Sequence, residues 1–160
     1  MPTYAKDTTV SASDSRAEIE RILARYGAGA FMYGWEGSMA VVGFEIGGLR
    51  YRITLPIPDR NAREFTHTAA RGYLRSPKDA DAAWEQASRQ RWRAMALGIK
   101  GILEWAESGI VALEFVLQSF VVLPNGRTAG EWMAPQIEAA YQTGNMPPML
   151  PMGRVKGGEG

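Results

Sequence analysis

Residues 31–55 read FMYGWEGSMAVVGFEIGGLRYRITL, and apolar side chains recur there at every second position. A period of two is typical of β-strands, because successive side chains of a strand point to opposite faces of the sheet. Gly37-Ser38 and Gly47-Gly48 are two-residue turns of the kind that joins antiparallel strands. The segment therefore predicts three antiparallel strands arranged as a meander.

Both turns predict the same register, because each places apolar residues opposite one another. The expected cross-strand pairs are Trp35 with Ala40, Tyr33 with Val42, Phe31 with Phe44, Phe44 with Tyr51, and Val42 with Ile53. All of these residues lie on one face, and a slip of one position would turn the whole apolar set outward. We therefore expect a fixed register and a buried face.

The opposite face of the predicted sheet is mixed in character. Glu45 lies opposite Arg50, whereas Arg52 lies opposite Gly43 and has no acidic partner in this register. Gly34 and Gly43 also leave the surface beside Arg52 low. Strand glycines indicate either simple bulges or a shallow groove in which a nucleic-acid backbone or base can come close.

A first helix is predicted over about residues 15–26. Ser15 and Glu18 have the spacing of a capping box, in which each side chain bonds a backbone amide of the first turn. Apolar residues follow at the spacing of one helix face, and Gly27 can supply a left-handed C-terminal cap.

A long helix is predicted after residue 76. Ser76 is suited to the N-cap and Pro77 to the first helical position, and Gly109 is expected to end the helix after about Ser108. Its polar face carries Arg89, Arg93, Lys100 and Glu107. The expected buried face consists of Trp84, Ala87, Met95, Gly98, Ile102 and Trp105.

The C-terminal third predicts further helices. Residues 110–122, IVALEFVLQSFVV, are too apolar for an exposed element and too short to span a membrane, so we expect a core helix that ends extended. Thr128 and Glu131 repeat the capping-box spacing before a last helix. Pro135 within it predicts a kink or a later start.

These elements predict the α+β class. The expected order is an N-terminal helix, a three-stranded antiparallel meander, a long amphipathic helix packed on the sheet, C-terminal helices and a flexible tail. We expect residues 1–13 to form a flexible lead-in and residues 14–144 a single α+β domain. Residues 145–160 are rich in proline, glycine and methionine and are expected to form the tail.

Composition excludes most familiar catalytic and metal sites. The chain has no cysteine and one histidine, His67, which excludes disulfides, thiol nucleophiles and Cys-ligated or multi-His metal sites. P-loop, G-x-G-x-x-G and G-x-S-x-G patterns do not occur in the sequence. We therefore expect no cofactor and no metal, and an enzymatic activity is not expected because no catalytic motif supports one, although it is not excluded. No apolar run is long enough to span a membrane, and the N-terminus has no hydrophobic signal, so a cytoplasmic protein is expected.

Charge is segregated along the chain although the formal net charge is only +1. Residues 50–100 hold 11 basic and 5 acidic side chains, whereas the segments before and after them are net acidic. A basic middle segment is typical of a surface that binds a polyanion, and it can also pair subunits or segments of opposite charge.

Ten residues of this basic segment are the predicted nucleic-acid-binding residues. They are Arg50 and Arg52 on the sheet, Arg60, Arg63, Arg71 and Arg75 in the connection after it, and Arg89, Trp92, Arg93 and Lys100 on the long helix. Guanidinium groups pair with phosphates, and Trp92, Tyr73 and Phe65 are candidates for stacking on bases. The alternative for residues 56–76 is a poorly ordered surface loop.

A protein-interaction module is the competing hypothesis. The chain has five tryptophans and a very apolar C-terminal region, more than this small sheet and one long helix can cover. A homo-oligomer is therefore expected. The tail, with methionines and Leu150 among prolines, can also serve as a docking peptide for a protein partner.

Three stretches carry a resemblance to known proteins. They are RYGAGAFMYGWEGSMAVVGFEIGGLRYRITLPIPD, WEQASRQRWRAMALGIKGILEWAESGI and LPNGRTAGEWMAPQIEAAYQTGNMPPMLP. Together they resemble a family of small uncharacterised bacteriophage and prophage proteins. The order of a meander and a long helix also resembles the core of phage single-strand DNA annealing proteins and their Rad52-like relatives. That second resemblance implies single-stranded DNA held in a basic groove and assembly into rings or filaments.

Overall fold

A three-stranded antiparallel meander is the centre of the fold in the computed structural model, which describes residues 5–146. The predicted α+β class and element order are confirmed. The elements are α1 (Ala12–Ala24), β1 (Gly29–Glu36), β2 (Met39–Ile46), β3 (Leu49–Pro56), α2 (Arg63–Thr66), α3 (Pro77–Glu107), α4 (Leu113–Leu117), a 3-10 helix (Gln118–Phe120) and α5 (Ala129–Thr143).

The predicted register is confirmed over most of the sheet. The observed pairs include Trp35 with Ala40, Tyr33 with Val42, Val42 with Ile53, and Phe44 with Tyr51. The predicted pairing of Phe31 with Phe44 is replaced by a bulge, since Ala30 and Phe31 together lie opposite Phe44. Ala30 has a φ of 51°, in the left-handed region, which accommodates the extra residue. The bulge therefore lies at Ala30 rather than at the strand glycines.

One face of the sheet forms the core together with α1 and α3. Phe44 stacks on Tyr51 with ring centroids 5.2 Å apart, and Trp92 of α3 meets Tyr33 edge-on at 6.4 Å. The same cluster includes Ile19 of α1. The predicted packing of the long helix on the sheet is thus confirmed.

The buried face of α3 differs from the predicted one. The fully buried residues are Trp92, Ala96, Ile99 and Leu103, which recur at i, i+4, i+7 and i+11. Trp105, expected in the core, is 55% exposed. The reason is that α3 contacts both α1 and the sheet along one narrow seam, and this seam is rotated from the direction that hydrophobicity alone predicts.

The start of α1 also differs from the prediction. Its N-cap is Ser11, whose hydroxyl accepts a hydrogen bond from Asp14 N at 3.0 Å, and the helix begins at Ala12. Ser15 lies inside the helix and is fully buried, and its hydroxyl has no hydrogen-bond partner within residues 5–146. The expected boundary after residue 13 therefore falls within a helix.

The caps of α3 and α5 agree with the sequence. Ser76 accepts from Asp79 N at 3.1 Å, and Thr128 and Glu131 form the predicted capping box. Pro135 does not delay α5, which begins at Ala129. A proline there cannot donate to the carbonyl of Glu131, and the Arg127 guanidinium donates to that oxygen instead, at 2.9 Å.

Residues 110–122 were expected to form a core helix that ends extended; the extended end is confirmed at Val121 and Val122, but the helix is much shorter than expected. The segment contains the five-residue α4 and the 3-10 helix, and Leu117 is its buried residue whereas Ile110 and Phe115 are exposed. So short a helix presents only one side to α3. Val122 N then donates to Arg50 O at 2.8 Å, which ties the segment to the edge of β3. Residues 1–4 of the expected lead-in and residues 147–160 of the expected tail lie outside the described residues.

Candidate nucleic-acid interface

The predicted binding residues lie in three separate groups. Arg50 and Arg52 alternate along β3 with the buried residues Tyr51 and Ile53, so they lie on the face of the sheet that α3 does not cover. Arg89, Arg93 and Lys100 belong to α3, on the other side of the sheet. The sheet arginines and the helix residues therefore do not form one continuous surface.

In the α3 group, two arginines are engaged within the fold. Arg93 forms an ion pair with Glu18 of α1, and Arg89 donates to Gln86 Oε1 at 3.1 and 2.7 Å. Gln86 in turn donates to Thr8 O at 3.0 Å. These contacts hold α1 and the segment before it against α3. Lys100 is exposed on α3.

Trp92 belongs to the core and not to a surface. It is 4% exposed, and the guanidinium of Arg16 lies 5.2 Å from its ring centroid. Phe65 is likewise buried. Neither ring can stack on a base in this conformation, which corrects the prediction that both are stacking residues.

The sheet group contains an anchored arginine, Arg52. Its Nη1 donates to Gly126 O and its Nη2 to Glu131 Oε2, each at 3.0 Å. Arg52 therefore joins β3 to the start of α5, and the acidic partner that was missing from the strand register comes from a helix 79 residues away in sequence. The capping box identified Glu131 as a carboxylate with a fixed position, but it did not indicate Arg52 as its partner.

A shallow cleft of about 220 Å³ lies beside Arg52 on the open face. Met32, Gly43 and Arg50 are among the residues that line it. A Cβ atom on Gly43 would lie 3.6 Å from Met32 Cε, an ordinary van der Waals contact, so the side chain of Met32 borders the cleft at this point. The strand glycines were interpreted either as bulges or as the floor of a shallow groove. At Gly43 the surface is a shallow cleft.

The Arg52–Glu131 contact gives a pH-dependent prediction. The backbone hydrogen bond from Thr128 and the charge of Arg52 lower the pKa of Glu131 below its ordinary value, against an opposing effect of burial. The folded state therefore favours the carboxylate, and the resulting stability is present above the ordinary pKa and is lost as the pH falls through the lowered one.

Glu131→Gln should therefore reduce the free energy of unfolding by about 1 kcal/mol at pH 7, since a capping interaction is weakened. The difference from the unmodified protein should shrink below about pH 4. Urea denaturation at pH 7 and at pH 3.5 measures it. A difference that is the same at both pH values would contradict this role of the charge.

The third group lies in an ordered hairpin, which we call the arginine hairpin and define as residues 60–75. Thr68 N donates to Tyr73 O and Arg75 N to Thr66 O, both at 2.8 Å, and His67 forms a bridge with Leu74. Helix α2 precedes the turn, and its buried Phe65 fixes the segment to the body of the protein. The expected long connection thus has a defined conformation.

The charge of the arginine hairpin is strongly one-sided. Residues 60–75 include four arginines but a single carboxylate, Glu64. Arg60 pairs with Asp81 at 3.3 Å and lies over the ring of Trp84. Within residues 5–146, no carboxylate lies within 4.0 Å of the charged atoms of the other three hairpin arginines, Arg63, Arg71 and Arg75.

Exposed apolar side chains stand beside these arginines. Tyr73 is 63% exposed and Leu74 is 75% exposed. Tyr73 N donates to Thr68 Oγ1 at 3.0 Å, so the backbone that carries the ring is held in place. Of the three predicted stacking residues, Tyr73 has an accessible ring.

A second surface lies on α5, in the apolar C-terminal region of the sequence. Its exposed apolar residues, with Met146 just after the helix, line a groove of about 470 Å³. We call this the α5 groove, and its lining residues are Trp132, Met133, Gln136, Ile137, Ala140, Tyr141 and Met146.

No protein-family model matches the chain, and searches of curated proteins and of solved structures find no match. The resemblance to phage proteins therefore stays a prediction. Among residues 5–146, no His and carboxylate side chains cluster to hold a metal ion, and no helix is both long and apolar enough to cross a membrane.

Proposed function

We propose that this protein is a phage-type accessory protein that binds single-stranded DNA on the arginine hairpin. The observation that carries the proposal is the combination of Arg63, Arg71 and Arg75, none near a described carboxylate, with the exposed ring of Tyr73 on one ordered hairpin. Guanidinium groups bind phosphate oxygens bidentately, and an aromatic face stacks on an unpaired base.

The order of the hairpin favours tight binding. Backbone hydrogen bonds across residues 66–75 and the buried Phe65 fix its conformation before any ligand arrives. Less conformational entropy is then lost on binding than for a mobile loop. In the chain, the arginine hairpin lies between strand β3 and helix α3. In the annealing proteins whose element order this chain resembles, the basic groove also lies beside strands and a helix. Annealing of complementary strands is therefore the activity to assay once binding is established.

The test of this proposal is a titration of a labelled single-stranded oligonucleotide, followed by fluorescence anisotropy at about 50 and 200 mM salt. Neutralising three phosphates of a single strand should give a slope of log K against log salt of about −2. A duplex of the same sequence should bind more weakly, because its bases are not available to Tyr73. Absence of binding at the lower salt concentration would contradict the proposal.

A second candidate function is a protein-interaction module, and the α5 groove favours it. Large exposed apolar surfaces on soluble domains mark sites that another protein segment covers. A protein of this kind would not bind the oligonucleotide at about 50 mM salt, so the same titration separates the two candidates.

A further inference from the structure

The α5 groove is an apolar helix face without a described neighbour. Ala129 is the one buried residue of α5, and Tyr141 near the far end of the helix is 89% exposed. Trp132, Ile137 and Tyr141 all line the groove, and at 3.6 residues per turn they are spread over about half the circumference of the helix, so the groove runs obliquely across α5. So much exposed apolar surface in one place calls for a segment that covers it.

We propose that residues 147–152, PPMLPM, lie in the α5 groove of the same chain and run back along α5 towards Trp132. The chain enters this segment at the groove itself, because Met146 is one of the lining residues. Gly144 ends α5 with a φ of 71°, in the left-handed region that turns a chain away from a helix axis.

The chemistry of the segment fits the chemistry of the groove. Proline-rich segments bind in grooves lined by aromatic rings, because their extended conformation is already fixed and little entropy is lost. The groove offers the rings of Trp132 and Tyr141. Met149, Leu150 and Met152 supply apolar side chains between the prolines.

The lengths also agree. Trp132 and Tyr141 are nine residues apart on α5, which is about 14 Å along the helix axis. Six residues in the polyproline conformation extend about 19 Å. Residues 147–152 are therefore long enough to follow the groove over its axial length.

A tethered segment has an advantage over a second copy of the chain. Because residue 147 follows a groove residue directly, its effective concentration at the groove is in the millimolar range, well above micromolar protein in solution. This inference goes beyond the proposed function and does not depend on it, since the α5 groove and the arginine hairpin are made of different residues.

The absence of cysteine from the sequence allows a direct test by disulfide formation. In the full chain, the pair Ile137→Cys and Leu150→Cys places one thiol in the groove and one in the segment. The matched control is Glu138→Cys with Leu150→Cys, since Glu138 is exposed, adjacent and not among the groove residues. We expect an intrachain disulfide to form about tenfold faster in the first pair than in the control.

Each other outcome overturns the proposal. Equal rates in the two pairs would mean that the segment samples the surface at random. A covalent dimer of the Ile137→Cys single variant would assign the groove to a second copy, and no intrachain disulfide in either pair would leave it to another partner.

A second full-chain variant, Met149→Asp with Leu150→Asp and Met152→Asp, avoids any change in the folded domain. Charged groups on the segment should release it and raise the fluorescence of a hydrophobic dye severalfold. Unchanged dye fluorescence would contradict the proposal independently of the disulfide result.

Discussion

Replacing Arg63 and Arg71 together with alanine is expected to weaken binding of a single-stranded oligonucleotide by about 30-fold at 50 mM salt. Both side chains are exposed, and within residues 5–146 neither has a carboxylate within 4.0 Å. Their loss therefore removes the proposed phosphate contacts without breaking ion pairs of the fold. The slope of log K against log salt should become less steep by about 1.4, because two fewer counterions are released.

The matched control is the double variant Arg21→Ala with Arg25→Ala. These two arginines are also exposed and lie at the C-terminal end of α1, and their removal changes the net charge by the same amount. The affinity of this variant should fall by less than about threefold, because only the general field of the protein is altered. Equal losses in the two variants would show that net charge, and not the arginine hairpin, determines binding.

For the arginine hairpin, the sequence predicted the candidate contact residues but not the conformation. Its arginines and Tyr73 were predicted as ligand contacts from composition, but their segment has no hydrophobic period and was expected to be a loop. Its conformation depends on backbone hydrogen bonds such as Thr68 N to Tyr73 O and on the buried side chain of Phe65. Neither leaves a repeating pattern in the sequence.

The meander could be predicted because two local signals agree. The turns at Gly37 and Gly47 and the alternation of side chains specify the same register, and both depend on neighbouring residues alone. The Arg52–Glu131 contact joins residues far apart in sequence, and no local pattern encodes it. No local pattern predicts how the arginines are grouped either. Helix α3 packs on one face of the sheet, so Arg93 lies on that side whereas Arg50 lies on the other.

Trp92→Ala is expected to lower the free energy of unfolding by about 3–5 kcal/mol. The side chain is almost fully buried between α3 and the sheet, where its ring meets Tyr33 and lies near the guanidinium of Arg16. Its removal leaves a cavity that the rigid meander cannot fill. Such a loss is a large part of the stability of a domain of this size, so urea denaturation should show a clearly lower midpoint.

Trp105→Ala on the same helix is the matched comparison, because it removes the same group from a site that is 55% exposed. Its cost should be below about 1.5 kcal/mol, since little buried area is lost. Comparing the two losses of unfolding free energy therefore tests which face of α3 is buried. Hydrophobic periodicity predicts a buried Trp105, whereas the structure buries Trp92. Equal costs at the two positions would contradict the observed seam.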